Sequence, residues 1–480
     1  MRAAEAVALR EMVLHGRGEG VPRLLWDRSA SAAPFAHRSQ SSLGPSPKVL
    51  PREAPNPNWG ARDGGNPDET TRTRRATLTP TLGGRALAVK MGVGSLDQPR
   101  DGWSFDNIIY LRGWALGPDG PVSEVRIHLG DSHIGAARLR VPREDVARAH
   151  PAVPGSDTGG FLFCHAFPPE FTFEGEVRAI ARGSAGQEWP VGGADISIGL
   201  GRCTVARVNV ELTNACNLRC RWCTSRLRKA GRMSTDLFER VIREIAESPA
   251  LDVRELHYYN GGESMVHPRF AAMMEASRRV FSESATNRPK RILVTNGTKL
   301  DDRGVQTLLS GGLDEVHVSI DGGTKQSYEA HRRGAKWERV LAGTNLLLDE
   351  NERRGHPLRT ALITIDLGVE PSSEFQELAS RFDVYALRPP HNWDGSEPLD
   401  GLAPKLANLL PCWHIFNNIA VLWNGDVTAC CADLIGRGVM GNLSSGSLAE
   451  HWSGPHRELR LMQCMDRKHE ITLCRFCAVA

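Results

Sequence analysis

No apolar run in this 480-residue sequence approaches the ~18–20 consecutive residues that a membrane-spanning helix requires, which excludes a helical membrane protein. A secretory signal core is missing as well. Glu5, Arg10, Glu11 and Arg17 interrupt the opening of the chain and break the apolar stretch that such a signal needs. Charge of one sign is also scarce: 59 Lys and Arg stand against 56 Asp and Glu, a net charge of +3. No general field for a polyanion follows from that balance. The expectation is a cytoplasmic protein with neither a nucleic-acid nor a membrane partner.

The length corresponds to roughly three domains at about 150 residues each. Apolar residues make up 40 % and charged residues 24 %, an ordinary balance for a globular protein. Eleven cysteines carry more information: Cys164, Cys203, Cys216, Cys220, Cys223, Cys412, Cys430, Cys431, Cys464, Cys474 and Cys477. An odd total without a signal peptide points to a reducing compartment, where close clusters mean metal rather than disulfide. Nine of the eleven fall in two knots, at 216–223 and at 412–477. Cys164 and Cys203 read as buried apolar thiols.

Four segments are expected: a low-complexity stretch over 1–95, a β-sandwich-like module over 96–200, an α/β core over 203–400 and a small cysteine-rich domain over 405–480. In the first, Pro45, Pro47, Pro51, Pro55, Pro57, Pro67 and Pro80 lie among residues without an apolar period, a pattern of disorder. In the second, Val125, Ile127 and Leu129 alternate with polar neighbours, as a half-buried strand requires. Further short strands are expected at 108–114, 161–163 and 177–181, between Gly- and Pro-rich turns such as Gly117-Pro118-Asp119-Gly120. Gly113-Trp114-Ala115, Arg143-Glu144-Asp145-Val146, Pro151 and Gly160-Phe161 resemble accessory Ig-like modules attached to bacterial glycosyltransferases. Carbohydrate recognition or docking and a plain structural role are both open for this module.

Over the third segment, strands are expected at 206–212, 255–260, 291–296, 315–320, 359–366 and 384–388. Helices are expected between them. Leu237, Val241 and Ile245 recur at a spacing of four after Ser234, a plausible N-cap. Trp337, Val340, Leu341 and Leu347 mark another amphipathic helix. Six βα repeats imply a parallel sheet, with chemistry at the carboxyl ends of its strands.

The polar motifs sit at those ends. Cys216, Cys220 and Cys223 follow the first strand, and three thiolates at that spacing can converge on one soft-metal centre that keeps an open position. Zinc would want a fourth Cys or His in register. Asn260-Gly261-Gly262-Glu263 ends the second strand, where the glycines permit close approach of a ligand and the carboxylate can pair with an ammonium group. Thr295-Asn296-Gly297 ends the third. Alternation puts His317, Ser319 and Asp321 on one face of the fourth, and Arg332 and Arg333 follow as candidate holders of a carboxylate.

Together these residues resemble the radical S-adenosylmethionine (SAM) superfamily over about 205–390. The resemblance implies a partial (β/α)6 barrel in which Cys216, Cys220 and Cys223, with Trp222 as the aromatic of the signature, ligate a [4Fe-4S] cluster whose open iron chelates SAM. It further implies SAM contacts from Gly261, Gly262, Glu263, Ser319, Asp321 and Arg332 or Arg333. Cys412, Gly425, Cys430-Cys431-Ala-Asp433, Gly441-Asn442-Leu443, Cys464 and Cys474-Arg-Phe-Cys477 look like the SPASM/twitch extension of that superfamily. The sequence ends three residues after Cys477, which leaves sulfur for one auxiliary [4Fe-4S] cluster, held by Cys412, Cys430, Cys474 and Cys477. Cys431 or Cys464 can replace one of these.

A family member of this kind forms a 5′-deoxyadenosyl radical that removes hydrogen from an unactivated C–H bond. Four cysteines on the auxiliary cluster leave no open iron for a substrate, so electron transfer is its expected role. The net reaction is then a two-electron oxidation of an alcohol carbon on a sugar or cyclitol. Modification of a ribosomally made peptide and a non-catalytic Fe–S protein are the alternatives. A small-molecule or peptide substrate and a reduced flavodoxin- or ferredoxin-type electron donor are the expected partners. His317, Asp366, His391, Asp394 and Asp433 are polar residues near the strand ends or the cluster, and none is singled out as the general base.

Overall fold

The structure, a computed structural model, describes residues 92–118, 120–283, 286–390, 393, 410–475 and 477, all within one compact unit. Of the low-complexity stretch expected over 1–95, residues 1–91 fall outside the described residues, as do Asp119, His391 and Asp394, while Val93–Gln98 forms a strand, so the β-module begins before the expected boundary at 96.

Ten strands make a two-layer module, as expected. One layer pairs β1 (Val93–Gln98), β3 (Ile108–Gly117), β8 (Gly160–Ala166) and β7 (Arg138–Val141), with β4 (Gly120–Pro121) beside β3. The other runs β2 (Trp103–Phe105), β10 (Glu188–Ile198), β9 (Phe173–Arg182), β5 (Glu124–Leu129) and β6 (Ser132–Ala136). Val125, Ile127 and Leu129 are buried while their neighbours are not, so the period of two marks the inner face. Ile109, Leu111, Phe161, Phe163, Val177 and Trp189 complete the core between the layers.

Six parallel strands follow in sequence order: β11 (Cys203–Val210), β12 (Leu251–His257), β13 (Lys290–Thr295), β14 (Glu315–Ser319), β15 (Arg359–Ile365) and β16 (Val384–Arg388). The first two begin three to four residues before the expected positions. The helix Thr235–Glu247 starts at Ser234, whose side chain accepts from the Leu237 N–H. Its buried stripe is Phe238, Val241, Ile242 and Ile245. Leu237 is only partly buried, which shifts the expected stripe by one residue. Trp337, Val340, Leu341 and Leu347 are all buried in the helix Trp337–Arg353.

The two sides of this sheet differ in chemistry. Val208, Val210, Leu256, Val316, Val318 and Leu362 pack under the helices in one apolar core. The opposite side carries Arg207, Asn209 and Glu211 in line with Glu255, His257 and Tyr259, and with Glu315 and His317 further along. A barrel that served only as a packed core would fill this side with branched apolar residues.

The cysteine-rich segment is continuous with the sheet. β17 (Asn418–Val421) pairs parallel with the free edge of β11, and β18 (Asp426–Thr428) and β19 (Val439–Asn442) extend it antiparallel. The helices α8 (Trp413–Asn417), α9 (Leu448–Ser453) and α10 (Pro455–Cys464), numbered after the seven that precede them among the described residues, pack around this extension. The β-module is fastened to it. Tyr110 stacks on Phe416 at 4.6 Å, Arg457 donates to Asn107 at 2.9 Å, and buried Arg460 donates to Asp106 at 2.6 Å. These contacts favour the structural reading of the module. No helix among the described residues is long and apolar enough to cross a membrane.

Candidate functional site

The loop that follows β11 is braced before it reaches its first cysteine. The Thr213 hydroxyl donates to the Gly231 carbonyl at 2.5 Å, and the Asn214 amide donates to Lys229 and accepts from the Gly231 N–H. Further on, the N–H groups of Arg219 and Arg221 donate to the carbonyls of Arg333 and His331. Cys216 is exposed, and Cys220 and Cys223 are half-buried, so the mouth of the loop is open. Each of these thiols lies within electrostatic reach of another. The Cys216 sulfur accepts from the Leu218 N–H at 3.4 Å and lies 3.8 Å from the Asn296 amide, while Cys223 lies 3.1 Å from the Ser225 hydroxyl. Hydrogen bonds of this kind to sulfur tune a cluster.

The second motif locks onto this loop. Gly262 has φ +70, and a Cβ there would come within 2.5 Å of the Thr213 carbonyl and 2.6 Å of the Ala215 carbonyl. Only glycine adopts that backbone at such a distance without strain. The Glu263 N–H donates to the Ala215 carbonyl at 2.9 Å. The Glu263 carboxylate is buried and accepts from the Thr295 hydroxyl, the Asn296 N–H and the Met265 N–H. Three of its roughly four acceptor positions are thereby engaged, so it joins the second and third motifs. Burial pushes its carboxyl up from the ordinary value, against the pull of those donors.

Ser319 is half-buried at the end of β14. Asp321, two residues on, accepts from Nε and Nη2 of Arg332 at 2.7 and 3.1 Å. This pair stands beside Cys220. Arg332 is buried and Arg333 is exposed, which separates the two candidates. Trp222 packs against His331 at 5.0 Å, and its carbonyl accepts from the Trp393 indole at 2.6 Å.

Glu211 and the trio Arg207, Glu255 and His257, at the centre of the site, escaped the sequence reading. Glu211, fully buried, pairs with Arg228 and accepts from the N–H groups of Gly261 and Trp423 at 3.0 and 3.1 Å. One carboxylate thus holds the cysteine loop, the glycine motif and the C-terminal extension together. On the inner wall, His257 Nε2 lies 2.9 Å from Glu255, which pairs with Arg207 at 3.2 Å. Burial, with Arg207 facing it, brings His257 down to about 4, so the ring is neutral at pH 7. Its Nδ1 is buried without a partner. His317 repeats the arrangement, 2.6 Å from Glu315, and its ring meets that of His257 edge-on at 6.4 Å. The Glu-x-His spacing on two strands is the signal that was available.

Of the remaining candidates, Asp433 is fully buried and accepts from Thr428, Arg437 and Gly438, which makes it a loop clamp. Asp366 closes a turn by accepting from Gly368.

In the second knot, Cys412, Cys430 and Cys474 are buried in one cluster with Ile415, Ile471 and Leu473. Cys477 lies close enough to act on the Cys474 thiol, and donates to the Trp393 carbonyl at 3.1 Å. Cys431 touches Cys430 but turns toward His414, Asn418 and Arg207. Burial raises the Cys412 and Cys474 thiols, and the nearly inaccessible Lys468 ammonium pulls both back down. A buried cation among buried thiols suits a negatively charged centre. Cys464 lies elsewhere, against Cys164, and Cys164 is half-buried rather than buried.

Comparison with known proteins accords with this geometry. Residues 210–380 match the Radical SAM superfamily, and residues 412–478 match the SPASM iron–sulfur cluster-binding domain. The chain is 28 % identical over 145 residues to GTP 3′,8-cyclase of Chlorobaculum tepidum, covering 30 % of this chain and 42 % of that one. It is 30 % identical over 137 residues to PqqA peptide cyclase of Gluconobacter oxydans, covering 28 % of this chain and 35 % of that one. The chain thus spans less than half the length of these curated relatives. Among solved structures, BtrN in complex with AdoMet and 2-DOIA aligns at 19 % identity and a TM-score of 0.40, covering 57 % of this chain and 93 % of that one.

A radical SAM domain implies a [4Fe-4S] cluster and SAM, and a SPASM domain implies auxiliary Fe–S clusters. The donor set fits. Cys216, Cys220 and Cys223 on one loop, and Cys412, Cys430 and Cys474 buried together with Cys477 beside Cys474, supply the sulfur donors that iron–sulfur clusters take. The chain carries a radical SAM domain over residues 210–380 and a SPASM iron–sulfur cluster-binding domain over residues 412–478.

Proposed function

We propose that this protein is a radical SAM enzyme that carries out a two-electron oxidation of a neutral, polyhydroxylated small molecule of the sugar or cyclitol type. Cys216, Cys220 and Cys223 would hold the catalytic cluster. Gly261, Gly262, Glu263, Ser319, Asp321 and Arg332, with Trp222, would form the SAM site. Cys412, Cys430, Cys474 and Cys477 would hold the auxiliary cluster. With both clusters and SAM bound, the centre supplies a radical able to take hydrogen from an unactivated carbon, and a route for the second electron.

The observation that carries the substrate class is the inner wall below the glycine motif. It is polar, yet each of its carboxylates has a partner: Glu211 with Arg228, Glu255 with Arg207, Glu315 with Lys290 and His317, and Asp321 with Arg332. Such a wall offers directed hydrogen bonds without an unpaired carboxylate that would draw a cation. His257, neutral and with Nδ1 unpartnered, adds a hydrogen-bond acceptor to that wall. A reduced flavodoxin or ferredoxin is the expected electron donor. Similarity to a peptide cyclase supports the competing reading, modification of a ribosomal peptide.

The test is anaerobic incubation of the reconstituted protein with SAM, dithionite and, separately, the small-molecule and peptide fractions of a cell extract, followed by mass spectrometry. The proposal predicts about eight irons per chain, 5′-deoxyadenosine, and a hydroxylated product lighter by two hydrogens. Turnover confined to the peptide fraction would overturn the substrate class.

A further inference from the structure

Cys164 and Cys464 are separated by 300 positions in the chain yet share one small apolar pocket. Cys164 lies on β8, opposite Tyr110 of β3. Cys464 is the last residue of α10. Ile108, Tyr110 and Phe416 form the floor of the pocket, and Cys164, Ala166, Trp413, Leu461 and Cys464 pack against it. The two thiols lie within electrostatic reach of each other, Cys164 being the neighbour that acts most strongly on Cys464. Two residues past Cys464, Asp466 pairs with Arg138 of β7 at 2.5 Å. Both thiols are half-buried, so a small oxidant has access to them.

The position matters for the Fe–S domain. The residue before Cys464 is Gln463, fully buried, whose carbonyl oxygen accepts from the Cys412 N–H at 2.6 Å and whose amide donates to the Cys474 sulfur at 3.8 Å. The thiol pair therefore lies one residue from the side chain that holds two of the proposed auxiliary ligands.

We infer that Cys164 and Cys464 form a redox-responsive staple, oxidised to a disulfide that fixes the β-module to the helix backing the auxiliary-cluster domain. Two S–H bonds break and one S–S bond forms, releasing two protons and passing two electrons to a thiol oxidant such as a disulfide or a diazene. Closing the bond requires the sulfurs to come to about 2.05 Å. In a reducing compartment such a bond is transient and serves as a sensor. The inference holds whichever substrate the enzyme takes.

The experiment uses the full chain with its clusters loaded, treated anaerobically with diamide, blocked with N-ethylmaleimide, digested and analysed by mass spectrometry. The expected result is a linked pair of peptides carrying Cys164 and Cys464, released by dithiothreitol and absent from C164S and C464S. Oxidation should raise the Tm of the wild type by several degrees and leave that of C464S unchanged. C464S should retain its full iron content, because Cys464 is not a ligand. Recovery of both cysteines as separate maleimide adducts would overturn the staple, as would a wild-type Tm indifferent to diamide. Loss of about four irons in C464S would overturn it too, by making Cys464 a cluster ligand.

Discussion

Replacing Arg460 by methionine tests whether the β-module is a structural part of the Fe–S domain or a passenger. Arg460 is 2 % exposed, donates to Asp106 at 2.6 Å and to the Trp452 carbonyl at 3.2 Å, and lies 4.2 Å from the centre of the Trp452 ring. Methionine restores the packing of the stem but leaves the Asp106 carboxylate without its cation. Breaking a buried pair from one side costs about 3–5 kcal/mol, and losing a desolvated cation–π contact costs about 2 kcal/mol more. Packing by the thioether offsets part of this, for a net loss of about 4 kcal/mol. At about 2–4 °C per kcal/mol, thermal unfolding should begin roughly 8–16 °C lower. The iron content should fall in the same temperature range, because α10 carries Gln463 between Cys412 and Cys474. A double-mutant cycle with D106N should recover about half of the loss. A shift below about 2 °C, or simple additivity with D106N, would refute the reasoning. The same contacts predict that removing the whole module exposes Phe416 and Trp413 and destabilises the auxiliary cluster.

Three further outcomes follow from the site. The folded-state pKa of His257 lies at about 4, against 6.5 unperturbed, so the unfolded chain binds the extra proton. Stability should therefore fall as pH drops from 6.5 toward 4, by up to about 3 kcal/mol, and denaturant titrations of H257Q should show a flatter decline over that window. G262A should cost about 2–4 kcal/mol through its positive φ and its clash with the Thr213 and Ala215 carbonyls, read as iron lost on reconstitution while C-terminal iron is kept. Cys412→Ala should still permit some cleavage of SAM, while product oxidised by two electrons falls far more steeply. Oxidised product at the wild-type rate from an ordered variant lacking the auxiliary cluster would contradict the electron-acceptor role.

What the sequence made legible was local or periodic. The spacing of Cys216, Cys220 and Cys223, the glycine pair before Glu263 and the alternation in β5 each declare a geometry within a few residues, because torsions and periods act at that range. What it concealed depends on pairing between distant segments. Glu211 reads as one more polar residue after a strand until Arg228, Gly261 and Trp423 converge on it. The union of β17 with β11 is a choice among strand edges that no period encodes. Leu237 and Phe238 are both apolar, and only the docking angle of their helix decides which is buried. Cys464 stood among possible ligands because spacing alone cannot tell a cysteine facing a cluster from one facing a strand 300 positions earlier.

The central claim is that the loop after β11 holds a cluster able to cleave SAM, and 5′-deoxyadenosine measures it most directly. Wild-type and Cys220→Ala proteins are reconstituted anaerobically, reduced with dithionite in the presence of SAM, and assayed by liquid chromatography alongside their iron content. The account predicts 5′-deoxyadenosine from the wild type and none from the variant, which keeps about four irons in its C-terminal domain. Formation by the Cys220→Ala protein at the wild-type rate would contradict it.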